Sequence, residues 1–331
     1  MFDIYLTPTD LAGDVCYQPS FLQTKTRIKH LVATYLTHEI LCDRLEDLPE
    51  QFLNPQSRPW QTINWQAIDS AQILGLDTPV FLDIIKGALD TEAPIRGYTQ
   101  ASRQYLESIH PAMARFVGGA VGRDNSLIEL GLWEKEERQH TPALVKIYQQ
   151  LTGIKLTPDA PTPKLYQPTG SPEQDLYRHG IHRIATEYSA VCLYLWLMSH
   201  TTGNLQLVLE ELLEDEINHM TKFWGFGQWL YGDRLVQALQ PKSVKNVLAE
   251  SNRLQTMSHL MKTVSRMMQV LAWDSWHVAH KVELVYTFVA VGQQMWSWSN
   301  SLTREYLAVL FTSSLISQPA SDDFELQVTP S

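Results

Sequence analysis

The chain of 331 residues has only three cysteines, Cys16, Cys42 and Cys192, too few and too scattered for a disulfide framework or a thiolate metal site. Basic residues are also scarce, because 26 Lys and Arg stand against 36 Asp and Glu, a formal charge of −10. Nucleic-acid binding needs a basic face, so this balance argues against nucleic acid as a partner. The longest purely apolar run, 191–198, is much shorter than the roughly 18 residues of a membrane span.

Signatures of several other protein classes are missing as well. The sequence has no glycine-rich phosphate loop, no nucleophile elbow and no catalytic-triad motif. Its first residues, Met-Phe-Asp-Ile-Tyr, carry an acid where a signal peptide would carry bases. Apolar residues at 44% and charged residues at 19% exclude a disordered or fibrous chain. We therefore expect a soluble, cytoplasmic protein.

What the sequence does contain is helical periodicity, while strand signals are scarce. The apolar spacing predicts an all-α fold with helices near residues 21–47, 77–91, 97–120, 126–152, 172–200, 204–231, 242–272, 275–299 and 301–314. Five prolines between residues 152 and 172 predict a linker between two helical hairpins.

These patterns predict one domain over residues 1–331. Residues 97–231 are expected to form a core metal-binding bundle, with accessory helices within 1–96 and 232–316. The tail, 317–331, is expected to be flexible.

Histidine and glutamate recur in a spacing that can bind metal. Three Glu-x-x-His units are present among the eleven histidines: Glu107/His110, Glu137/His140 and Glu216/His219. Residues i and i+3 share one face of a helix, so both side chains can reach one ion. Carboxylate oxygen together with imidazole nitrogen suits iron or manganese. A single unit of this kind is weak support for a metal site, but the spacing between the units adds to it.

The glutamates are arranged symmetrically about two predicted turns. Glu107 precedes Glu137 by 30 residues, with a midpoint at Gly122. Glu187 precedes Glu216 by 29 residues, with a midpoint at 201–202. In an antiparallel helical hairpin, residues equidistant from the turn lie at the same height. Each hairpin is therefore predicted to place one lone glutamate opposite one Glu-x-x-His unit.

The two lone glutamates differ in their surroundings. Glu187 is the only acid between Asp175 and Glu210, and burying a carboxylate there is costly unless a cation or hydrogen bonds compensate it. Near Glu107, the ring of Pro111 would clash with the Glu107 carbonyl in a regular helix. We therefore expect a kink or a different register at that point.

One Glu from each of two helices, with Glu-x-x-His from each of two others, is the ligand pattern of di-iron carboxylate bundles. The sequence therefore predicts a ferritin-like four-helix bundle with additional N- and C-terminal helices and a non-haem centre of two Fe ions, with Fe/Mn left open. The predicted metal ligands are Glu107, Glu137, His140, Glu187, Glu216 and His219.

The residues around these ligands resemble a known family. Two segments are similar to the cluster motifs of the acyl-acyl-carrier-protein desaturases: Trp133-x-x-Glu136-Glu137-x-x-His140, trailed by Leu144, Lys146, Tyr148 and Gly153, and Asp215-Glu216-x-x-His219. The resemblance covers about residues 90–220.

The resemblance implies roles for individual residues. Glu137 and Glu216 would bridge the two metals, and Asp215 would orient a ligand histidine. Trp133 would pack against the cluster helix or lie on an electron path. The implied activity is O2-dependent oxidation of a fatty-acyl or similar hydrophobic substrate, presented on acyl carrier protein, with electrons from a ferredoxin-type donor. The oligomeric state, a homodimer among the alternatives, is left open.

Departures from the family pattern leave the reaction open. The family has Arg before each ligand histidine, whereas this chain has Gln139 and Asn218. Near the oxygen site the family has Thr, whereas only Ser189 offers a hydroxyl here. Fold and metal do not fix the chemistry. The alternatives are therefore an oxygenase acting on a small amine or aromatic compound, and a non-catalytic iron-binding protein.

Two other polar groups allow two interpretations each. One follows an i+3 stripe and predicts either a second metal site or a polar face between helices: Asp274, His277, His280 and Glu283. The other, His179 and His182, precedes Glu187 on its predicted helix. These two histidines either line an entrance to the centre or have a role at the end of the helix.

Overall fold

The fold is all-α in a computed structural model that describes residues 20–122, 124, 126–158, 171–231, 265 and 268–316. These residues form eleven α-helices: α1 (Phe21–Tyr35), α2 (His38–Glu46), α3 (Leu48–Leu53), α4 (Thr78–Glu92), α5 (Ile95–Glu107), α6 (Pro111–Gly118), α7 (Leu132–Thr152), α8 (Pro172–Ser199), α9 (Gly203–Tyr231), α10 (Val278–Ser299) and α11 (Arg304–Ile316). Within the same residues, the only strands are β1 (Ala120–Val121) and β2 (Leu127–Glu129), an antiparallel pair between α6 and α7.

Two long predicted helices are each divided in two. The predicted helix 21–47 breaks after α1, and the side chain of Thr37 accepts a hydrogen bond from the amide of Ile40 to begin α2. The predicted helix 97–120 breaks after α5. His110 accepts from the amide of Met113, and Pro111 occupies the first turn of α6, where its missing N–H costs nothing.

The helices α8 and α9 form the central hairpin of the molecule. Their turn includes Gly203 in a left-handed conformation (φ +58°), where a Cβ would lie 2.7 Å from the side chain of Gln72. Gln72 also accepts a hydrogen bond from the amide of Thr202 through its backbone carbonyl. The turn is therefore fixed to the segment before α4, and this sets the height of α8 against α9.

The other helices pack around this hairpin. α7 packs against both α4 and α9, while α5 contacts α6, α7 and α8. α1 and α10 cover α8, and α11 lies against α9. The aromatic side chains of Trp133, Trp196 and Tyr194 are completely buried between these helices. The centre of the protein is therefore bounded by α4, α7, α8 and α9.

Some predicted elements lie outside the described residues. They are most of the linker 152–172, most of the helix 242–272 and the tail 317–331. None of the helices that the structure describes is long and apolar enough to cross a membrane.

Candidate metal centre

Four helices each bring a buried carboxylate to one place in the core. Glu92 ends α4 and Glu187 lies in α8, and neither is followed by a histidine three residues later. The other two helices each supply a buried Glu-x-x-His pair: Glu137 with His140 on α7, and Glu216 with His219 on α9. The i, i+3 spacing places both members of each pair on the face that points into the cluster.

The first ligand set surrounds the Nδ1 atom of His140. This nitrogen lies 3.3 Å from Oε2 of Glu137 and 3.3 Å from Oε1 of Glu216. Oε2 of Glu92 lies 3.8 Å from the same nitrogen. Three carboxylates and one imidazole therefore converge on one point, with ligand atoms all within 4.8 Å of one another.

The second set surrounds the Nδ1 atom of His219. It lies 3.3 Å from Oε1 of Glu137, 3.5 Å from Oε2 of Glu187 and 3.8 Å from Oε2 of Glu216. Glu137 and Glu216 thus belong to both sets, and each presents one oxygen to each histidine. This is the arrangement of two bridging carboxylates between two adjacent cation positions.

Five buried atoms of the cluster have no hydrogen-bond partner. The unpartnered buried atoms are Oε2 of Glu92, Oε2 of Glu137, Oε1 of Glu187, and Nδ1 of both His140 and His219. Buried polar atoms normally find partners, because leaving them unpaired costs free energy. Four carboxylates and two imidazoles form a donor set suited to two divalent iron or manganese ions. The residues therefore fit such a pair of ions.

The electrostatics of the cluster point the same way. Burial and the neighbouring Glu137 raise the pKa of Glu92 to about 8 and that of Glu216 to about 7. Despite their burial, His140 and His219 have pKa values well above the ordinary one, since carboxylates surround them. Without cations the cluster therefore retains protons at neutral pH, and metal binding would displace them.

His140 is oriented by an acid on its outer side. Its Nε2 lies 3.3 Å from Oδ2 of Asp215, the acid to which the family resemblance assigns this contact. The indole N–H of Trp60 donates to the same oxygen at 2.9 Å. Arg58 donates to Oδ1 of Asp215 through Nε at 3.2 Å and Nη2 at 3.0 Å. Despite burial, His140 and Arg58 keep the pKa of Asp215 below its ordinary value, so the acid remains an acceptor.

His219 has a corresponding outer acid. Its Nε2 lies 2.9 Å from Oε2 of Glu136, to which Asn218 also donates at 3.2 Å. The backbone N–H of Arg58 donates to the other oxygen of Glu136 at 3.2 Å. Arg58 therefore contacts the outer partners of both histidines. The guanidinium of Arg58 donates to Asp215. Gln139 and Asn218, which directly precede the two histidines, have no such group.

Trp133 lies between the cluster and the rest of the core. Its indole N–H donates to Oε1 of Glu137 at 2.8 Å, and its ring is fully buried. The guanidinium of Arg183 lies 5.2 Å from the centre of this ring, and the ring of Phe223 lies 5.3 Å from it. The tryptophan thus holds one bridging carboxylate in place.

The placement of Glu107 among the ligands is corrected by the structure. Glu107 ends α5, its side chain is 55% exposed, and it pairs with Arg103 at 2.8 Å. The chain does turn near Gly122, but Pro111 divides the helix predicted before this turn into two short helices, α5 and α6. α7 therefore packs along α4, and the symmetry about the turn selects the wrong carboxylate.

Glu92 takes the position predicted for Glu107. The signal for it is a helical stripe on α4 that is apolar until its last member: Phe81, Ile84, Ile85, Ala88, Leu89 and Glu92, all buried. A carboxylate that continues an apolar stripe is an anomaly that needs a partner in the core. Its 45-residue separation from Glu137 conceals the link, because α5, α6 and the strand pair intervene.

A small cavity adjoins the cluster between α4 and α8. It measures about 30 Å³. Its lining combines apolar and small side chains with all four carboxylates of the cluster, Glu92, Glu137, Glu187 and Glu216. Leu271 forms part of the wall, and the segment before it contacts α4 so closely that a Cβ on Gly87 would lie 2.5 Å from the Val270 carbonyl oxygen.

The stripe from Asp274 to Glu283 gathers no metal-binding group in the part of the chain that the structure describes. Glu283 pairs instead with His200 at 2.9 Å, and His280 contacts the carbonyl of Gly75 at 3.0 Å. His277 is largely exposed. Of the four residues, His280 and Glu283 thus make polar contacts between elements, as the second interpretation expects, whereas Asp274 and His277 are exposed.

Comparison with known proteins adds no relative: no family model, no curated protein and no solved structure matches this chain.

Proposed function

We propose that this protein is a ferritin-like di-iron oxidoreductase that uses O2 to oxidise a hydrophobic substrate. The observation that carries the proposal is the double ligand set around His140 and His219, which shares Glu137 and Glu216. A structural polar cluster would pair its inward atoms with one another. Here both Nδ1 atoms lack a hydrogen-bond partner and are surrounded by carboxylates.

The residues of the chain divide the work between them. Bound iron would supply the electrons that reduce O2 and the oxidising power that attacks the substrate. Glu137 and Glu216 would hold both ions at once. Asp215 and Glu136 accept from the outer nitrogens and fix the ring orientation of the two histidines. The buried apolar walls exclude water from the reacting group.

The substrate side of the proposal rests on the cavity beside Glu92 and Glu187. Its lining is dominated by apolar and small side chains: Ala88, Ile95, Ala190, Leu193 and Leu271. Such a lining favours a hydrocarbon group over a polar one. A fatty-acyl chain, an acyl carrier protein and a ferredoxin-type donor extend the proposal through the family resemblance.

A second candidate is oxidation of a small amine or aromatic compound. The observation that favours this candidate is the departure from the desaturase pattern at Gln139 and Asn218, which directly precede the two histidines of the cluster. A non-catalytic iron-binding protein is the third alternative, and turnover separates it from the other two.

Metal analysis tests the centre directly. We expect two irons per chain after anaerobic loading, none in Glu137→Ala, and two again in the matched surface variant Glu107→Gln. A wild-type chain that takes up neither iron nor manganese would overturn the proposal.

The reaction is tested on the loaded protein. The reduced protein is exposed to O2 with fatty-acyl thioesters in one set and small arylamines in another, and products are identified by mass spectrometry. A product in either set that is absent in Glu137→Ala supports an oxidoreductase. Oxidation of Fe(II) with every organic compound unchanged would identify an iron-binding protein instead.

A further inference from the structure

A second cavity lies along α8 and α9, on the other side of Trp133 from the carboxylates of the metal centre. It measures about 20 Å³. Its apolar walls include Leu106, Phe223 and Phe226. Two nitrogen-bearing side chains of α8, His179 and Arg183, complete it. Arg183 precedes the ligand Glu187 by one helical turn, so this cavity is a near neighbour of the centre.

Arg183 is a partly buried cation without an ion-pair partner among the described residues. Its guanidinium lies over the rings of Trp133, at 5.2 Å, and Tyr98, at 5.4 Å. No carboxylate in the described chain lies within ion-pair distance of it, and its Nε is buried without a hydrogen-bond partner. A desolvated guanidinium is costly unless an anion compensates it. Two aromatic faces supply only part of that compensation.

His179 offers a second donor in the same cavity. Its Nε2 is buried without a partner, and its ring stacks on Tyr105 at 5.4 Å. Burial, together with the positive charge of Arg183, lowers the pKa of His179 to about 3, so its imidazole is neutral at pH 7. A neutral imidazole with a free nitrogen can donate one hydrogen bond to an anion.

The metal centre does not supply the missing negative charge. The acids that act on Arg183 are Glu187 and Glu137, both members of the centre. Two divalent cations there would balance the four clustered carboxylates and leave no excess for Arg183. In this step the inference rests on the proposed function.

We propose that this cavity is a binding site for a small carboxylate anion of the formate or acetate class. The planar guanidinium of Arg183 matches a carboxylate in a bidentate manner, and His179 donates a further bond. Phe223 and Phe226 provide an apolar wall for a methyl group. A cavity of about 20 Å³ limits the ligand to a small anion and excludes a long chain.

Calorimetric titration of the iron-loaded protein with sodium acetate at constant ionic strength tests the site. We expect saturable binding that weakens at least tenfold in Arg183→Gln and in His179→Leu by a smaller factor. Arg183→Lys keeps the charge but loses the planar fork, so it should fall between the wild type and Arg183→Gln. Arg178→Gln, on the same helix, is the matched control and should bind as the wild type does.

The outcomes separate this site from the centre, because iron is measured in every sample. Acetate binding that survives unchanged in Arg183→Gln would place the anion on the metal and overturn the proposal. Two irons with no acetate binding would overturn it as well, and would leave the proposed function intact. Acetate binding that depends on Arg183 in a chain without iron would retain the site and overturn the proposed function.

Discussion

Two buried groups of glutamate and histidine lie at different heights of the same central hairpin. In the metal centre, His140 and His219 each use Nε2 for an outer acid and keep Nδ1 unpartnered toward the cluster. Near the α8–α9 turn, His200 uses both nitrogens: Nδ1 contacts the carbonyl of Leu74 at 2.9 Å and Nε2 contacts Glu283 at 2.9 Å. Residue types and burial are alike in the two groups, but hydrogen bonding differs.

The difference teaches how to distinguish a ligand set from a structural pair. A carbonyl only accepts, so Nδ1 of His200 carries a hydrogen and has no lone pair to offer a metal. Trp196 adds a donor to Glu283 at 3.4 Å. The hydrogen bonding of the group at the turn is therefore complete within the protein, whereas the candidate centre leaves the Nδ1 atoms of both histidines unpartnered.

The largest expected effect is on stability against pH. In the folded, metal-free protein Glu92 and Glu216 have pKa values of about 8 and about 7, above the ordinary value of roughly 4.3 that the unfolded chain would show. A carboxyl group whose pKa is raised by folding stabilises the fold fully at a pH below its pKa in the unfolded chain. This contribution is lost as the pH rises through its pKa in the folded protein. We expect the free energy of unfolding to fall by several kcal/mol between pH 5 and 8.

Thermal unfolding of metal-free and iron-loaded samples across this range measures the effect. Iron should remove or reverse the decline, because metal replaces the protons and binds better as pH rises. A metal-free protein that gains stability from pH 5 to 8 would contradict the electrostatic description of the centre.

Glu283→Ala is expected to have the next largest effect. It leaves a buried histidine unpaired, which costs about 3–5 kcal/mol of folding stability. Denaturant unfolding measures this loss, and metal analysis of the same variant should still find two irons per chain. Loss of iron from a folded Glu283→Ala protein would show that the two groups are not independent.

Asp215→Asn should weaken the centre without removing a ligand. Outer partners of metal-binding histidines contribute roughly 10–100-fold in metal affinity. We expect a loss of that size for iron in competition with a chelator, with the fold retained. Unchanged affinity would mean that Asp215 holds Arg58 and Trp60 but does not act on His140.

Glu107→Gln should have the smallest effect. Its side chain is 55% exposed, although its partner Arg103 is buried, and glutamine keeps an oxygen that can accept from that guanidinium, so we expect a cost of about 0–1 kcal/mol. Iron content and unfolding midpoint should both match the wild type, whereas Glu92→Gln should lose iron from the set around His140. Equal losses in the two variants would restore Glu107 as a ligand.

Much of the helical architecture could be predicted, because apolar periodicity is a local property of the chain. The central hairpin was predicted as 172–200 and 204–231, against Pro172–Ser199 and Gly203–Tyr231 in the structure. The break at Thr37 escapes this pattern, because a cap can end one helix and begin the next within a continuous apolar stretch. The break at His110 matches the kink or change of register that Pro111 predicts.

The site could be predicted where its residues share a hairpin or a helical turn. Glu187 and Glu216 lie opposite each other because their hairpin is uninterrupted, and each histidine lies one turn from its glutamate. Glu92 could not be found in this way, since its helix pairs with α7 across two intervening helices. Arg58 was also missed, because its contact with Asp215 spans 157 residues and follows from no local pattern.

The loop that carries Arg58 has a consequence for the timing of metal exchange. Through this one residue it contacts Glu136, Glu211 and Asp215, yet it supplies no ligand. The loop is partly exposed, with 29% of the Arg58 side chain accessible. Loosening it changes no donor atom at the centre, but it frees both outer acids together. For the proposed centre we therefore expect the loop to act as a kinetic barrier, so that the rate at which a chelator removes iron follows its opening.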